Sequence, residues 1–242
     1  MPDADRNGEG EGLGGIDAWP ACLGSIELVW HRLNRSHDLA RFLRSDVRWA
    51  ECDARLEPGG SIVVSHSAGD QGDRPFAEWL GEVAHAGRRA KVDLKESGPV
   101  LEGVLDAIAD TDGMRGERLW FNAAIEVVGG SAGFDRISQA VPGARLSCPI
   151  DNLASWLLVT SARALHVLDE VRGWGIDRLS VSVRTPAFQE VIAIAKQGGW
   201  ATNVWGVSTD VQLADAVAAH PTSITADLGL ISPTSWSLTP SG

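Results

Sequence analysis

Six residues of this 242-residue chain have the types and spacing for chemistry: His31, Glu51, Asp53, His66, Asp93 and Lys95. Glu51 and Asp53 are two apart, and so are Lys91, Asp93 and Lys95. In a β-strand, residues two apart point to the same face. If those faces line one interior, three carboxylates meet and repel each other. A divalent cation relieves such repulsion, and the hard ions Mg²⁺ and Ca²⁺ prefer oxygen ligands. Glu51, Asp53 and Asp93 are therefore the candidate metal ligands. His31 and His66 suit general acid and base work near neutral pH. Lys95 suits a phosphate oxygen or charge developing in a transition state. Arg32, Asn34, Lys91, Asn122, Arg184 and Trp205 are the candidate substrate-binding residues.

The elements that must position these groups follow from apolar periodicity. Short buried runs are expected as strands at residues 25–31 (SIELVWH), 49–56 (WAECDARL), 61–67 (SIVVSHS), 89–95 (RAKVDLK) and 118–125 (RLWFNAAI). Further strands are expected at 144–150, 177–184, 201–207 (ATNVWGV) and 223–228 (SITADL). Helical patterns fall between most of them, at 37–45, 75–86, 99–109, 134–140, 161–174, 188–197 and 211–219. The Pro58-Gly59-Gly60 turn makes 61–67 a hairpin-like extension of the strand before it. Counting that pair once leaves eight strands, and alternation with helices predicts a parallel sheet. Eight repeats predict closure into a single-domain α/β fold, a (β/α)₈ TIM barrel with a small β-extension after strand two. A doubly wound open sheet would show a glycine-rich loop after the first strand, and His31-Arg32-Leu33-Asn34 stands there instead.

In such a barrel chemistry sits at the C-terminal ends of the strands. His31, Glu51, Asp53, His66, Asp93, Lys95, Asn122, Arg184 and Trp205 all fall late in a strand or at its end. Taken singly, each has a plainer explanation: a hydrogen-bonded structural histidine, an exposed edge, a solvated salt bridge. Ionisable groups inside strands are costly unless paired or metal-bound, and it is their joint placement that points to a site. Cys52 lies on the opposite face from Glu51 and Asp53 and should pack under a helix. His37, His85, His166 and His220 fall on helices or helix ends and receive no role.

Composition narrows the rest. Hydrophobic residues are 44% and charged residues 22%, ordinary for a folded domain. A net charge of −11 without a basic stripe argues against nucleic acid as partner. Residues 1–22 are expected as a flexible arm, 23–230 as the barrel and 231–242 as a polar tail. The start lacks the basic and apolar stretches of a signal peptide, and no apolar run has the length of a membrane span. Three cysteines, an odd number without zinc-site spacing, point to reduced thiols and a cytoplasmic protein. The oligomeric state is left open.

The segments WHRLN (30–34), ECD (51–53), VVSHS (63–67), KVDLK (91–95) and NVWGV (203–207) together resemble the glycerophosphodiester phosphodiesterase-like superfamily of TIM barrels. The resemblance spans residues 25–229. Within it the chain is most similar to the menorin family, through His31 and Asn34, Glu51 and Asp53, Ser65 and His66, Lys91-x-Asp93-x-Lys95, and Trp120 with Asn122. The resemblance implies a metal-dependent site with Glu51, Asp53 and Asp93 on the cation. His31 and His66 would be the acid/base pair, and Lys95 would contact phosphate. The implied substrate is a small-molecule phosphodiester. Leu33 stands where the phosphodiesterases have Gly, Ser67 where they have Asp, and Asp93 where most have Glu. These departures bear on the substrate more than on the metal site. Two functions follow as expectations: a phosphodiester hydrolase or lyase, and a non-catalytic binding module that retains the pocket. A protein with a purely structural or partner-binding role would leave the carboxylates without metal.

Overall fold

In the computed structural model, which describes residues 23–67, 74–96 and 98–231, eight parallel strands close into a ring. They are β1 (Glu27–Trp30), β2 (Trp49–Leu56), β4 (Arg89–Leu94), β5 (Leu119–Ala123), β6 (Arg145–Pro149), β7 (Arg178–Ser182), β8 (Ala201–Val207) and β9 (Ser223–Ala226). Neighbours pair in that order, and β1 closes the ring by pairing with both β9 and β2. The ninth strand, β3 (Ile62–Val64), pairs antiparallel with the end of β2, as the expected extension. Helices α1 (Ser36–Leu43), α2 (Phe76–His85), α3 (Pro99–Ala109), α4 (Ser131–Ala140), α5 (Ala154–Val159), α6 (Ser161–Arg172), α7 (Phe188–Gln197) and α8 (Asp210–Ala218) connect the strands. The chain is thus a (β/α)₈ barrel. The expected arm, and all but the first residue of the expected tail, lie outside the described residues.

The two faces of each strand explain why this sequence closes this way. Outward residues are apolar: Ala50, Cys52 and Ala54 on β2, Ala90, Val92 and Leu94 on β4, Leu119, Phe121 and Ala123 on β5. They form the main core under the helices, and burying them drives the closure. Inward residues alternate with these and are largely polar: Glu51, Asp53, Lys91, Asp93, Asn122. Barrel interiors are usually filled with branched aliphatics. Here Val29, Trp49 and Trp120 form a separate small cluster. The two indoles meet edge to face at 5.7 Å. Arg145 lies over Trp49 at 4.9 Å, and Arg178 and Lys91 over Trp120 at 4.5 and 4.7 Å. Glu27 takes the Arg145 guanidinium as its ion-pair partner.

Several strands are shorter than expected: β3 ends at Val64 and β7 at Ser182, so His66 and Arg184 stand in the loops past the strand ends, and two helices also differ. Helix α4 starts at Ser131, three residues early, because Gly133 does not break it. A Cβ at Gly133 would lie 2.0 Å from the Val128 carbonyl oxygen, so this glycine serves close packing. The other helix is α5, a six-residue helix not expected from the pattern. Thr160, at φ −136° and ψ 51°, separates it from α6. Among the described residues, no helix is long and apolar enough to cross a membrane. Cys52 and Cys148 are buried free thiols, and Cys22 lies outside the described residues.

Candidate active site

The chain segment after β1 is pinned in place before any side chain acts. His31 N–H donates to the Ala226 carbonyl (2.8 Å) and Leu33 N–H to the Glu51 carbonyl (2.8 Å). The Trp79 indole of α2 donates to the Leu33 carbonyl at 2.9 Å. Leu33 is fully buried in the main core, which accounts for an aliphatic residue where the phosphodiesterase pattern has glycine. The left-handed conformation falls one residue earlier, at Arg32 (φ +55°). A non-glycine residue there is strained by ~1–2 kcal/mol. The strain turns the Arg32 N–H onto Glu51 Oε2 at 2.7 Å.

Strand register brings the carboxylates together. Asp53 is directly paired with Asp93, and Asp93 with Asn122. One ligand oxygen from each of Glu51, Asp53 and Asp93 lies within 4.8 Å of the others. Glu51 and Asp53 are almost wholly buried, at 2% and 1% exposed. Burial pushes the Glu51 carboxyl above its usual range, and neighbouring Asp53 and Asp93 add to this against the pull of His31 and Lys91. Burial alone would raise Asp53 too. There the Lys95 ammonium, the Asn34 amide and His66 outweigh it and hold the carboxyl low.

Each remaining polar group has a defined partner. Asn34 and Asp53 form a reciprocal pair: the Asn34 amide donates to Asp53 Oδ2 (2.6 Å), and Asp53 N–H donates to Asn34 Oδ1 (3.1 Å). Lys95 Nζ lies 2.8 Å from Asp53 Oδ1 and also pairs with Asp93. Burial lowers the affinity of Lys95 for its proton, but these two aspartates more than reverse that and keep it cationic. The Asn122 amide donates to Asp93 Oδ1 at 3.0 Å. Ser147 and Ser180 hydroxyls, donating to Asn122 Oδ1, fix that amide's orientation. Lys91 is buried in the barrel and donates to Thr225 Oγ1 at 2.9 Å. Burial lowers its pKa, while Glu51 and Asp93 oppose the shift.

The two histidines are held differently. His31 Nδ1 lies 2.8 Å from Asp227 Oδ1, which leaves Nε2 facing Glu51 at 4.0 Å. A carboxylate accepts only, so Nδ1 carries the hydrogen. His66, which is 46% exposed in its side chain, contacts Asp53 Oδ2 through Nδ1 at 3.2 Å. Its Nε2 lies 3.1 Å from the Arg32 guanidinium. Arginine only donates, so Nε2 accepts and Nδ1–H donates to Asp53. Ser67, which follows His66, is exposed.

These groups line one cavity of about 480 Å³ at the C-terminal ends of the strands. Of the expected residues, His31, Arg32, Glu51, His66, Lys91, Asp93, Lys95, Asn122, Arg184 and Trp205 line it. Asn34 and Asp53 support it from behind. Arg184 and Trp205 stand on the β7–β8 side. A bulge between Val204 and Val207, with Gly206 at φ +74°, turns the Trp205 backbone at that point. Two residues escaped the sequence reading, Asp227 beside His31 and Asp151 beside Trp205. Both stand just past strand ends, the criterion that selected the others. Chemically, the three oxygen donors form a hard-ligand set that fits a divalent cation, and cationic Lys95 and Arg32 can meet an anion.

No family model matches the sequence, and no curated protein is found similar to it. Solved structures do match. A phosphodiesterase from Oleispira antarctica, in complex with its product sn-glycerol-3-phosphate, is 12% identical, with a TM-score of 0.60 over 83% of this chain and 92% of that one. A glycerophosphodiester phosphodiesterase from Parabacteroides distasonis is 13% identical, with a TM-score of 0.62 over 84% and 93%. A putative glycerophosphoryl diester phosphodiesterase from Agrobacterium tumefaciens is 14% identical, with a TM-score of 0.63 over 84% and 93%. Likeness at such low identity establishes a common fold, the (β/α)₈ barrel that the glycerophosphodiester phosphodiesterases share.

Proposed function

We propose that this protein is a metal-dependent phosphodiesterase-like hydrolase or lyase acting on a small phosphodiester. The observation that carries the reading is the meeting of Glu51, Asp53 and Asp93 at the wall of one cavity that two carboxylate-held histidines also line. The phosphodiesterase barrels of similar fold support it, as does the product bound to one of them. Glu51, Asp53 and Asp93 would hold Mg²⁺ or Ca²⁺, which when bound neutralises phosphoryl charge and orients the ester. His31, with Nδ1 tied to Asp227, offers Nε2 to take a proton from the attacking water or substrate hydroxyl. His66, once Arg32 turns to the phosphoryl group and Nε2 takes up a proton from solvent, would pass that Nε2 proton to the leaving oxygen while Asp53 holds Nδ1–H, and Lys95 and Arg32 would stabilise charge on the phosphoryl oxygens. Lys-x-Asp-x-Lys and Trp-x-Asn lead us to place the chain nearest the menorin family. Buried, unpaired Cys52 and Cys148 support a reducing, cytoplasmic setting.

The test is turnover of bis(4-nitrophenyl) phosphate with Mg²⁺, Ca²⁺ or Mn²⁺. Wild type should cleave it, and His31→Ala or His66→Ala should abolish cleavage while leaving the fold intact. Failure to turn over any of a broad phosphodiester panel with any of these metals sinks the catalytic reading. A second reading, a binding module without catalysis, is favoured by one observation. The Lys95 ammonium bridges Asp53 and Asp93, so the carboxylates already hold a cation of their own. Tight phosphate binding without turnover would select it.

A further inference from the structure

The acids and histidines occupy the β1–β5 side of the cavity. The β6–β8 side carries no acid–histidine pair among the described residues; its polar lining is Arg184, Trp205 and Ser180. What shapes that wall is one carboxylate outside the lining. Asp151 begins the single helical turn after β6. Its Oδ1 accepts the Ser182 N–H at 2.6 Å and the Thr185 hydroxyl at 2.5 Å. Its Oδ2 accepts the Trp205 indole N–H at 3.2 Å.

Ser182 and Thr185 are the two ends of a turn closed by the Thr185 N–H to the Ser182 carbonyl at 3.0 Å. Arg184, whose own N–H is tied to Ser182 Oγ at 3.2 Å, sits inside that turn. One side chain therefore fixes the base from which Arg184 projects and the tilt of the Trp205 ring. Trp205 stands at a bulge on the β9 side of β8, and on the other side it pairs in register with Ser182 of β7, the residue whose N–H Asp151 also holds.

We propose that Asp151 is a positioning residue that holds Trp205 and the Arg184 turn as the wall receiving the alcohol substituent of the ligand. The phosphoryl group is left to the opposite, carboxylate-bearing side. The ligand chemistry rests on the phosphodiesterase reading; the tether between Asp151 and Trp205 does not. An indole face suits a planar or aromatic ester group better than a bare phosphate.

The experiment has two readouts. Protein labelled with 5-fluorotryptophan gives a ¹⁹F spectrum in which Trp205 is assigned by its loss in Trp205→Phe. Asp151→Asn and Asp151→Ala should shift or broaden that resonance and leave those of the buried Trp49, Trp79 and Trp120 in place. An unmoved Trp205 resonance in both variants overturns the proposal, whatever the protein catalyses. The second readout is calorimetric binding of inorganic phosphate and of phenyl phosphate with Ca²⁺ present. Wild type should prefer phenyl phosphate, and Asp151→Asn should lose about fivefold of that preference, the scale of one aromatic contact. Its affinity for inorganic phosphate should stay unchanged. Equal affinity of wild type for both ligands, or an unaltered preference in Asp151→Asn, refutes the wall assignment. Binding of neither ligand by wild type refutes instead the phosphodiester reading of the cavity, and the ¹⁹F resonance still decides the tether.

Discussion

Gly103 offers a test in which two opposing effects predict a sign. It lies in the middle of α3 against β3, the strand that leads to His66. A Cβ added there would stand 2.5 Å from Ile62 Cγ1 and 3.0 Å from Ile62 Cδ1. Carbon contacts relax at about 3.5–4.0 Å, so helix or strand must move by roughly 1 Å. Gly→Ala inside a helix would by itself stabilise by about 1 kcal/mol. Overpacking costs about 1–3 kcal/mol. The clash should win, because Cγ1 belongs to a β-branched side chain in a strand residue paired with Leu56 and cannot swing aside. Gly103→Ala should therefore lose about 1 kcal/mol in urea unfolding followed by tryptophan fluorescence. On an Ile62→Ala background both clashing atoms are gone, and the same change should stabilise by up to about 1 kcal/mol. That reversal is the signature of the contact. Stabilisation by Gly103→Ala in the otherwise wild-type protein would refute the argument.

Three further outcomes are expected. Ca²⁺ or Mg²⁺ at a hundred times its Kd should raise unfolding stability by about 2.7 kcal/mol, and Asp93→Asn should remove most of that gain; a wild-type melting curve indifferent to both ions removes the metal from the proposal. Burial pushes the Cys148 thiol up to about 12 and raises Cys52 well above its usual value. At pH 8 only about 1 in 10,000 Cys148 thiols is then ionised; peptide mass spectrometry should find both positions unmodified by iodoacetamide until urea unfolds the chain, and rapid native labelling would contradict the packing. Burial raises Glu27, but Arg145 and Arg178 outweigh it, so its folded pKa lies below 4.5. A depressed carboxyl stabilises above the unfolded pKa and loses that effect as pH falls through the folded one. Glu27→Gln should thus be less stable than wild type at pH 7, by on the order of 1 kcal/mol, with the gap closing below pH 4.5; a gap independent of pH would speak against the ion pairs.

Much of the barrel was legible because its strands keep strict alternation. Residues 49–56 and 201–207 are strands over their whole expected span, and the same two-residue spacing placed Glu51, Asp53 and Asp93 on one interior. Asp227 and Asp151 were legible in principle. Asp227 sits in the segment read as the last strand, and Asp151 one residue past the strand ending at 150. They passed unnoticed because their worth depends on partners far away in sequence. His31 meets Asp227 across 196 positions, and only closure of β9 onto β1 makes them neighbours. The left-handed Arg32 left no mark at all, since its neighbour Leu33 reads as ordinary apolar sequence.

The polar filling of the barrel has a bearing on how the chain folds. Lys91 of β4 reaches Thr225 of β9 over 134 positions, and Arg178 of β7 reaches Ser223 of β9. An incomplete ring, with β9 not yet in place, leaves an ammonium and a guanidinium without these acceptors. Aliphatic filling would tolerate a half-built barrel or a strand slipped by one position, because one methyl group substitutes for another. Hydrogen-bonded filling does not, since a buried cation without its acceptor is heavily penalised. A ring closed with β9 out of register would bury both cations without these acceptors, so the polar interior penalises the misregistered barrel as well as stabilising the correct one.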